Sequence, residues 1–180
     1  MNVIATLPTL YTTRLTLRKL AMSDVDDFFE YSSDPDVTRY TLWETHRSLQ
    51  QAQTHLAEYV RDYDYGCMPT WGIVFTETQK LIGTCGFHHI SAYAQQAEIG
   101  YTLSKAYWGQ GLATEAIRTV LDFAFKKALL QRVTARITPD NIASARVLQK
   151  LGFRLSGSML EYVPMWQQMQ HLDIYQLDYF

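Results

Sequence analysis

The residues of this 180-residue chain with the clearest chemical potential are Trp108-Gly109-Gln110-Gly111-Leu112-Ala113, a glycine-rich turn between a strand-like run and a helix-like run. The first amides of a helix have no partner within it, and the aligned peptide dipoles place about half a positive charge there. Phosphate is the natural guest. Glycine at 109 and 111 removes Cβ atoms that would hold a pyrophosphate away from the main chain, and it accepts backbone angles that other residues resist. Two common phosphate turns are excluded by named residues. A dinucleotide fingerprint wants a third glycine where Thr114 stands and an acidic residue about 20 positions on, where Gln131 stands. A Walker loop wants Lys and then Ser or Thr after its second glycine, whereas Leu112 and Ala113 follow Gly111.

The surrounding pattern predicts the elements that must carry this turn. Leu15 and Leu17 alternate with Arg14, Thr16 and Arg18 as a half-buried strand, and Ser23 with Asp26 reads as a capping box opening a helix that buries Val25, Phe28 and Phe29. Leu49, Ala52, Leu56, Tyr59, Val60 and Tyr63 form the apolar stripe of a second helix ending at Gly66. Three strands are expected next, over Trp71–Phe75, Leu81–His88 and Ala97–Leu103, as an antiparallel meander. After the turn, Ala113, Ala116, Ile117, Val120, Leu121 and Ala124 mark a long helix. Val133, Ala135 and Ile137 alternate as another strand. Asn141 then caps a short helix through Lys150, which Gly152 ends in a left-handed conformation. Two last strands are expected over Phe153–Val163 and Leu172–Tyr179. This order is that of an α+β layer fold.

Composition narrows the function. With 47% hydrophobic and 19% charged residues, residues 1–180 read as one globular domain. The formal net charge of −2 and the absence of basic runs argue against direct nucleic-acid binding. Cys67 and Cys85 lack metal-ligand spacing, so they read as buried free thiols and no metal is expected. Met1–Leu10 has no basic leader, and no run approaches ~18 apolar residues, which points to a cytoplasmic protein without membrane contact.

From about Tyr11 onward the chain resembles the GCN5-related N-acetyltransferase (GNAT) superfamily. Residues 108–116 read Trp-Gly-x-Gly-x-Ala-Thr-Glu-Ala, similar to the branch of ribosomal-protein N-terminal acetyltransferases (RimJ/RimL-like), although the family usually begins this motif with Gln or Arg rather than Trp. Asn141-x-x-Ser144, followed by Leu148-x-Lys150-Leu151-Gly152-Phe153, resembles the branch's second signature. The resemblance implies a mostly antiparallel, mixed seven-stranded sheet flanked by about four helices, with acetyl-CoA as co-substrate. It implies that the amides of Gln110, Gly111, Leu112, Ala113 and Thr114 cradle the pyrophosphate, and that a main-chain N–H near Ile99, Gly100 and Tyr101 holds the thioester carbonyl. Asn141 would meet the pantetheine arm, and Ser144 would donate to the departing sulfur. Plain structural roles stand beside these: Asn141 is also a helix cap, and a serine within a helix can bond a carbonyl one turn back.

The amine must lose a proton, and Glu98 is the first choice of base, because it alternates away from Ile99 and Tyr101 and a carboxylate can act through one water. Glu161 lies where the branch places its water-activating acid, and Asp173 is a third carboxylate. Each also reads as an exposed or paired surface group. An α-amine, with a pKa of about 7.7–8.0, needs only ~1 kcal/mol to deprotonate at pH 7, whereas a lysine amine needs ~4.6. The expected acceptor is therefore a protein N-terminus, attacked directly in a ternary complex. A small-molecule amine such as a polyamine, amino sugar or antibiotic is the alternative, and a non-catalytic acyl-CoA sensor is a third reading. His88 and His89 alternate in direction, so at most one faces the site. Tyr11, Trp43, Tyr63, Tyr93, Trp108 and Trp166 include possible walls of an acceptor groove. Lys105, Lys126, Lys127 and Lys150 are candidates for the 3′-phosphate of CoA or simply solvated lysines. A homodimer through an edge strand or the C-terminal hairpin is compatible with the resemblance.

Overall fold

The protein is described by a computed structural model covering residues 7–65 and 69–179; Gly66 and Cys67 lie outside the described residues. Eight strands form one sheet: β1 (Leu10–Tyr11), β2 (Leu15–Arg18), β3 (Thr70–Phe75), β4 (Lys80–Ser91), β5 (Gln96–Leu103), β6 (Arg132–Ile137), β7 (Arg154–Val163) and β8 (Gln168–Asp178). Their order is β1-β2-β3-β4-β5-β6-β8-β7. All neighbours are antiparallel except β5 and β6. That parallel pair is joined by the crossover helix α4 (Leu112–Lys126), as parallel neighbours require.

The helices divide between the two faces by the phase of the strands. Leu15, Leu17, Trp71, Ile73, Cys85, Phe87, Ala97, Ile99, Val133 and Ala135 are buried with Leu112, Ala116, Ile117, Val120 and Ala124 of α4 and Leu148 of α5 (Ile142–Lys150). On the other side Val74 and Leu81 pack with Phe28 and Tyr31 of α1 (Val25–Ser32), Val37 of α2 (Pro35–Thr38), and Ala52 and Leu56 of α3 (Leu49–Tyr65). Each large apolar side chain fully buried in these layers contributes roughly 1.5–3 kcal/mol. Trp71 satisfies its indole N–H on the Pro8 carbonyl, 2.8 Å away, so its burial leaves no polar group unpaired.

Several departures from the sequence pattern have local causes. The eighth strand, β1, is two residues long, too short for any periodicity. α2 starts where Asp34 accepts from the Asp36 amide and Pro35 occupies the first turn, the standard chemistry of a helix start. The start of α1 is not organised by Ser23. Instead the Asp24 carboxylate accepts from the Ala21 amide at 2.8 Å and takes both ends of the Arg18 guanidinium. β8 begins at Gln168 rather than near Leu172, because β7 and β8 pair as a hairpin from Val163↔Gln168 onward. Cross-strand bonding there extends residues whose side chains carry no alternating pattern. Cys85 is a buried free thiol, and burial pushes its pKa up. No helix among the described residues is long and apolar enough to cross a membrane.

Candidate active site

The glycine turn reaches the head of α4 in the conformation its residues allow. Gly109 and Gly111 have φ of +74° and +78°, and Gly111 is the N-cap. A Cβ at Gly109 would meet nothing within 4 Å, so the space over it is open. The ladder of α4 begins with Glu115 N–H donating to the Gly111 carbonyl at 3.0 Å. The amides of Leu112, Ala113 and Thr114 precede that ladder. Trp108 donates its indole N–H to the Leu103 carbonyl at 2.7 Å and ties the turn to the end of β5. That bond braces the turn, and the ring stays 45% exposed.

Beside the turn the sheet opens. β5 and β6 pair only at Gln96↔Arg132, Ala97↔Val133 and Glu98↔Thr134, although β5 continues to Leu103 and β6 to Ile137. Ile99, Gly100 and Tyr101 therefore face a gap between diverging strands. On one side of that gap, Asn141 accepts from the Ser144 amide at 3.2 Å and caps α5. The Ser144 hydroxyl lies 2.6 Å from the Tyr101 phenol. Burial raises the Tyr101 pKa, so the phenol keeps its proton at neutral pH. Gly152, with φ +92°, ends α5 as a left-handed cap: its amide donates to Gln149 and that of Phe153 to Leu148.

On the opposite face of the gap, Glu98 and Glu161 meet on one guanidinium. Arg136 of β6 donates through Nε to Glu98 Oε2 at 2.8 Å and through Nη1 to Glu161 Oε2. The Arg136 and Glu98 side chains are 20% and 17% exposed and Glu161 is 37% exposed, which leaves Glu161 the more open of the two carboxylates. Burial works to lower the Arg136 pKa, but the hydrogen bonds and charges of both glutamates outweigh it and raise it. His88 pairs across the strands with Glu98, and burial lowers its pKa below the ordinary histidine value. A Cβ on Gly100 would come within 2.8 Å of His88 Nε2, so the imidazole lies directly over the strand segment that lines the gap. His89 is exposed, at a break in the β4–β5 register.

Residues 14–154 match the acetyltransferase (GNAT) domain family. The chain belongs to the GNAT family. It is 37% identical to an uncharacterized N-acetyltransferase, p20, of Bacillus licheniformis over 86% of each chain. Among solved structures, the fold is shared with RimL, a ribosomal L7/L12 alpha-N-protein acetyltransferase in complex with coenzyme A (TM-score 0.81, 20% identity, 95% of this chain and 98% of that one). It is shared also with the microcin C7 self-immunity acetyltransferase MccE, in complex with acetyl-CoA and AMP (TM-score 0.84, 18% identity, 93% and 94%). This GNAT protein is thus an N-acetyltransferase on the eight-stranded, mostly antiparallel form of the family fold.

The structure brings Glu98 and Glu161 together, joins Ser144 to Tyr101, and leaves Asp173 on β8 opposite Ser158. Reading the sequence alone missed Arg136, although its alternation with Ala135 and Ile137 marks it as facing away from the α4 layer. It also missed the Tyr101 hydroxyl. Among the lysines, Lys105 pairs with Asp36 at 2.6 Å and Lys126 with Asp122 at 2.7 Å. Of the aromatic candidates, Tyr63 is structural, donating to the Thr70 carbonyl and accepting from the Leu20 amide. Trp43 and Trp166 line a cavity of about 320 Å³ with Arg39, Arg47 and Met165. Among the described residues there is no group of three or more His, Cys, Asp or Glu side chains that could hold a metal ion.

Proposed function

We propose that this GNAT protein transfers the acetyl group of acetyl-CoA to the α-amine of a protein N-terminus, by direct attack within a ternary complex. The observation that carries the acetyl-CoA reading is the left-handed Gly109–Gly111 turn, with three amides ahead of the α4 ladder and open space beside Gly109. Amides of Gln110, Gly111, Leu112, Ala113 and Thr114 hold the pyrophosphate, and each favourable helix-end interaction contributes about 0.3–1 kcal/mol. The pantetheine arm lies in the β5–β6 gap against Asn141. A main-chain amide of the Ile99–Tyr101 segment stabilises the oxyanion as the amine nitrogen bonds to the carbonyl carbon.

When the C–S bond breaks, the Ser144 hydroxyl donates to the leaving sulfur, with the Tyr101 phenol as its hydrogen-bond partner. The proton of the attacking amine passes to Glu98 through a water, or to Glu161 beside it. Because Arg136 offsets their charge, these carboxylates suit an amine that is easily deprotonated, and an α-amine is easier than a lysine by about 3–4 kcal/mol. That match supports a peptide N-terminus. RimL, with the same fold, is a ribosomal L7/L12 alpha-N-protein acetyltransferase. The outer strand β7, with Leu155, Leu160 and Tyr162 exposed, supports a homodimer formed along that edge.

Calorimetry with CoA tests the first half of the reading, and thiol release from acetyl-CoA with a panel of N-terminal peptides, polyamines and amino sugars tests the second. Micromolar CoA binding and turnover on peptides are expected. Turnover confined to polyamines or sugars would replace the acceptor. CoA binding with no turnover on any amine would make the chain a sensor.

A further inference from the structure

We infer that Arg14 and Glu115 form a clamp that sets the orientation of the pyrophosphate turn, with Arg14 as a positioning residue rather than a phosphate ligand. This rests on the acetyl-CoA reading above. Arg14 stands just ahead of β2, and Glu115 stands in the first turn of α4. The guanidinium donates through Nε to Glu115 Oε2 at 2.8 Å, and Nη2 lies 2.6 Å from the same oxygen. The other carboxylate oxygen accepts from the Arg14 amide at 3.1 Å and from the Thr12 hydroxyl at 2.5 Å. Burial raises the Glu115 pKa, but these bonds from Thr12 and Arg14 outweigh it and lower it, so the carboxylate stays charged at neutral pH.

The remaining donor of the fork, Nη1, bonds the Gln110 carbonyl at 3.1 Å. That contact has a geometric consequence. The Gln110 C=O and the Gly111 N–H belong to one planar trans peptide unit and point in opposite directions. Holding the oxygen on the Arg14 side therefore aims the Gly111 N–H away from Arg14. Nη2 also lies 3.8 Å from the position of the Cβ that Gly111 lacks, so the guanidinium backs the turn directly. With its charge matched by Glu115 and all three nitrogens engaged, Arg14 acts through shape. A glycine-rich turn has many conformations of its own, and this clamp selects one before the ligand arrives.

Shape and charge are separated by a conservative replacement, because lysine keeps the charge but lacks the fork. In R14K and R14A alike, CoA affinity measured by calorimetry is expected to fall about tenfold or more. The ratio of CoA to 3′-dephospho-CoA affinity should stay at the wild-type value. E115Q should reproduce part of the loss. Amide spectra of the ligand-free proteins give a second readout: in R14K the Gln110 and Gly111 resonances should move and broaden, while resonances of the β3–β5 core stay in place and report an intact fold. Restoration of CoA affinity by R14K relative to R14A would overturn the proposal in favour of a simple charge, and so would unmoved Gln110 and Gly111 resonances in R14K. If the wild-type protein binds no CoA, the acetyl-CoA reading fails, and the ligand-free spectra still decide whether the clamp orders the turn.

Discussion

The two ends of the site are built from different materials. At the head of α4 the groups that would face the proposed ligand are main-chain amides, exposed by glycine and backed by Trp108 and Arg14. At the proposed acceptor end they would be side chains from three strands, Glu98, Arg136 and Glu161, which meet only because β5, β6 and β7 are brought together in the sheet. A backbone site depends on conformation and tolerates much change in side-chain identity. A side-chain site depends on charge balance, and one substitution alters its chemistry. The difference predicts that damage to the first end will appear in binding and damage to the second in turnover.

The largest effect is expected at the acceptor end. The double variant E98Q/E161Q should lose about a hundredfold or more in kcat/KM, the range of general base catalysis, while its CoA affinity stays unchanged. Each single variant should lose much less, since the partner carboxylate remains beside Arg136; additive losses in the cycle would separate the two glutamates again. Next, Gly111→Val places a β-branched residue at φ +78°, which such side chains resist. CoA binding by calorimetry should weaken about a hundredfold, with the melting temperature much less affected.

A third test compares the site with a buried aromatic cluster elsewhere on the same protein. His55 contacts His46 at 3.2 Å and stacks on Tyr59, and burial, aided by the charge of His46, lowers its pKa from 6.5 to about 4. A depressed folded-state pKa means that the unfolded chain binds the proton more readily. Stability is therefore complete above pH 6.5 and falls as the pH drops towards 4. The loss should be on the order of 2 kcal/mol after allowing for the partly exposed ring. His55→Phe should flatten melting temperature against pH over that window without moving the pH profile of kcat/KM. The smallest effect is expected for Ser144→Ala, a slowing of about tenfold with turnover retained, because a thiolate is already a fair leaving group. Full kcat in that variant would remove the serine from the proton path.

The contrast between the two ends also explains how much of the site was readable. The turn is local: Gly109, Gly111 and the helix stripe that follows lie within a few residues of one another, so their spacing alone announces a helix start fit for phosphate. Asn141 and Gly152, as cap and left-handed end of α5, were legible for the same reason. The pairing of Glu98 with Glu161 was not, because the link between them is Arg136, 38 residues from one and 25 from the other. Viewed singly, each glutamate is a surface carboxylate. The role of the Asp24 carboxylate just ahead of α1 escaped in a similar way, since Ser23 offered a better pattern and one of its partners, Arg18, lies six residues earlier.

By itself, then, the order of residues determined the layers of this protein, the glycine turn that opens α4 and the family resemblance, since hydrophobic periodicity, glycine and helix caps act over one or two turns of chain. Only the tertiary structure decided which strands diverge to open the gap, which hydroxyl backs Ser144, and which cation joins the two carboxylates. Those contacts depend on sheet order and register, and the energy that fixes them comes from packing between segments far apart in the chain.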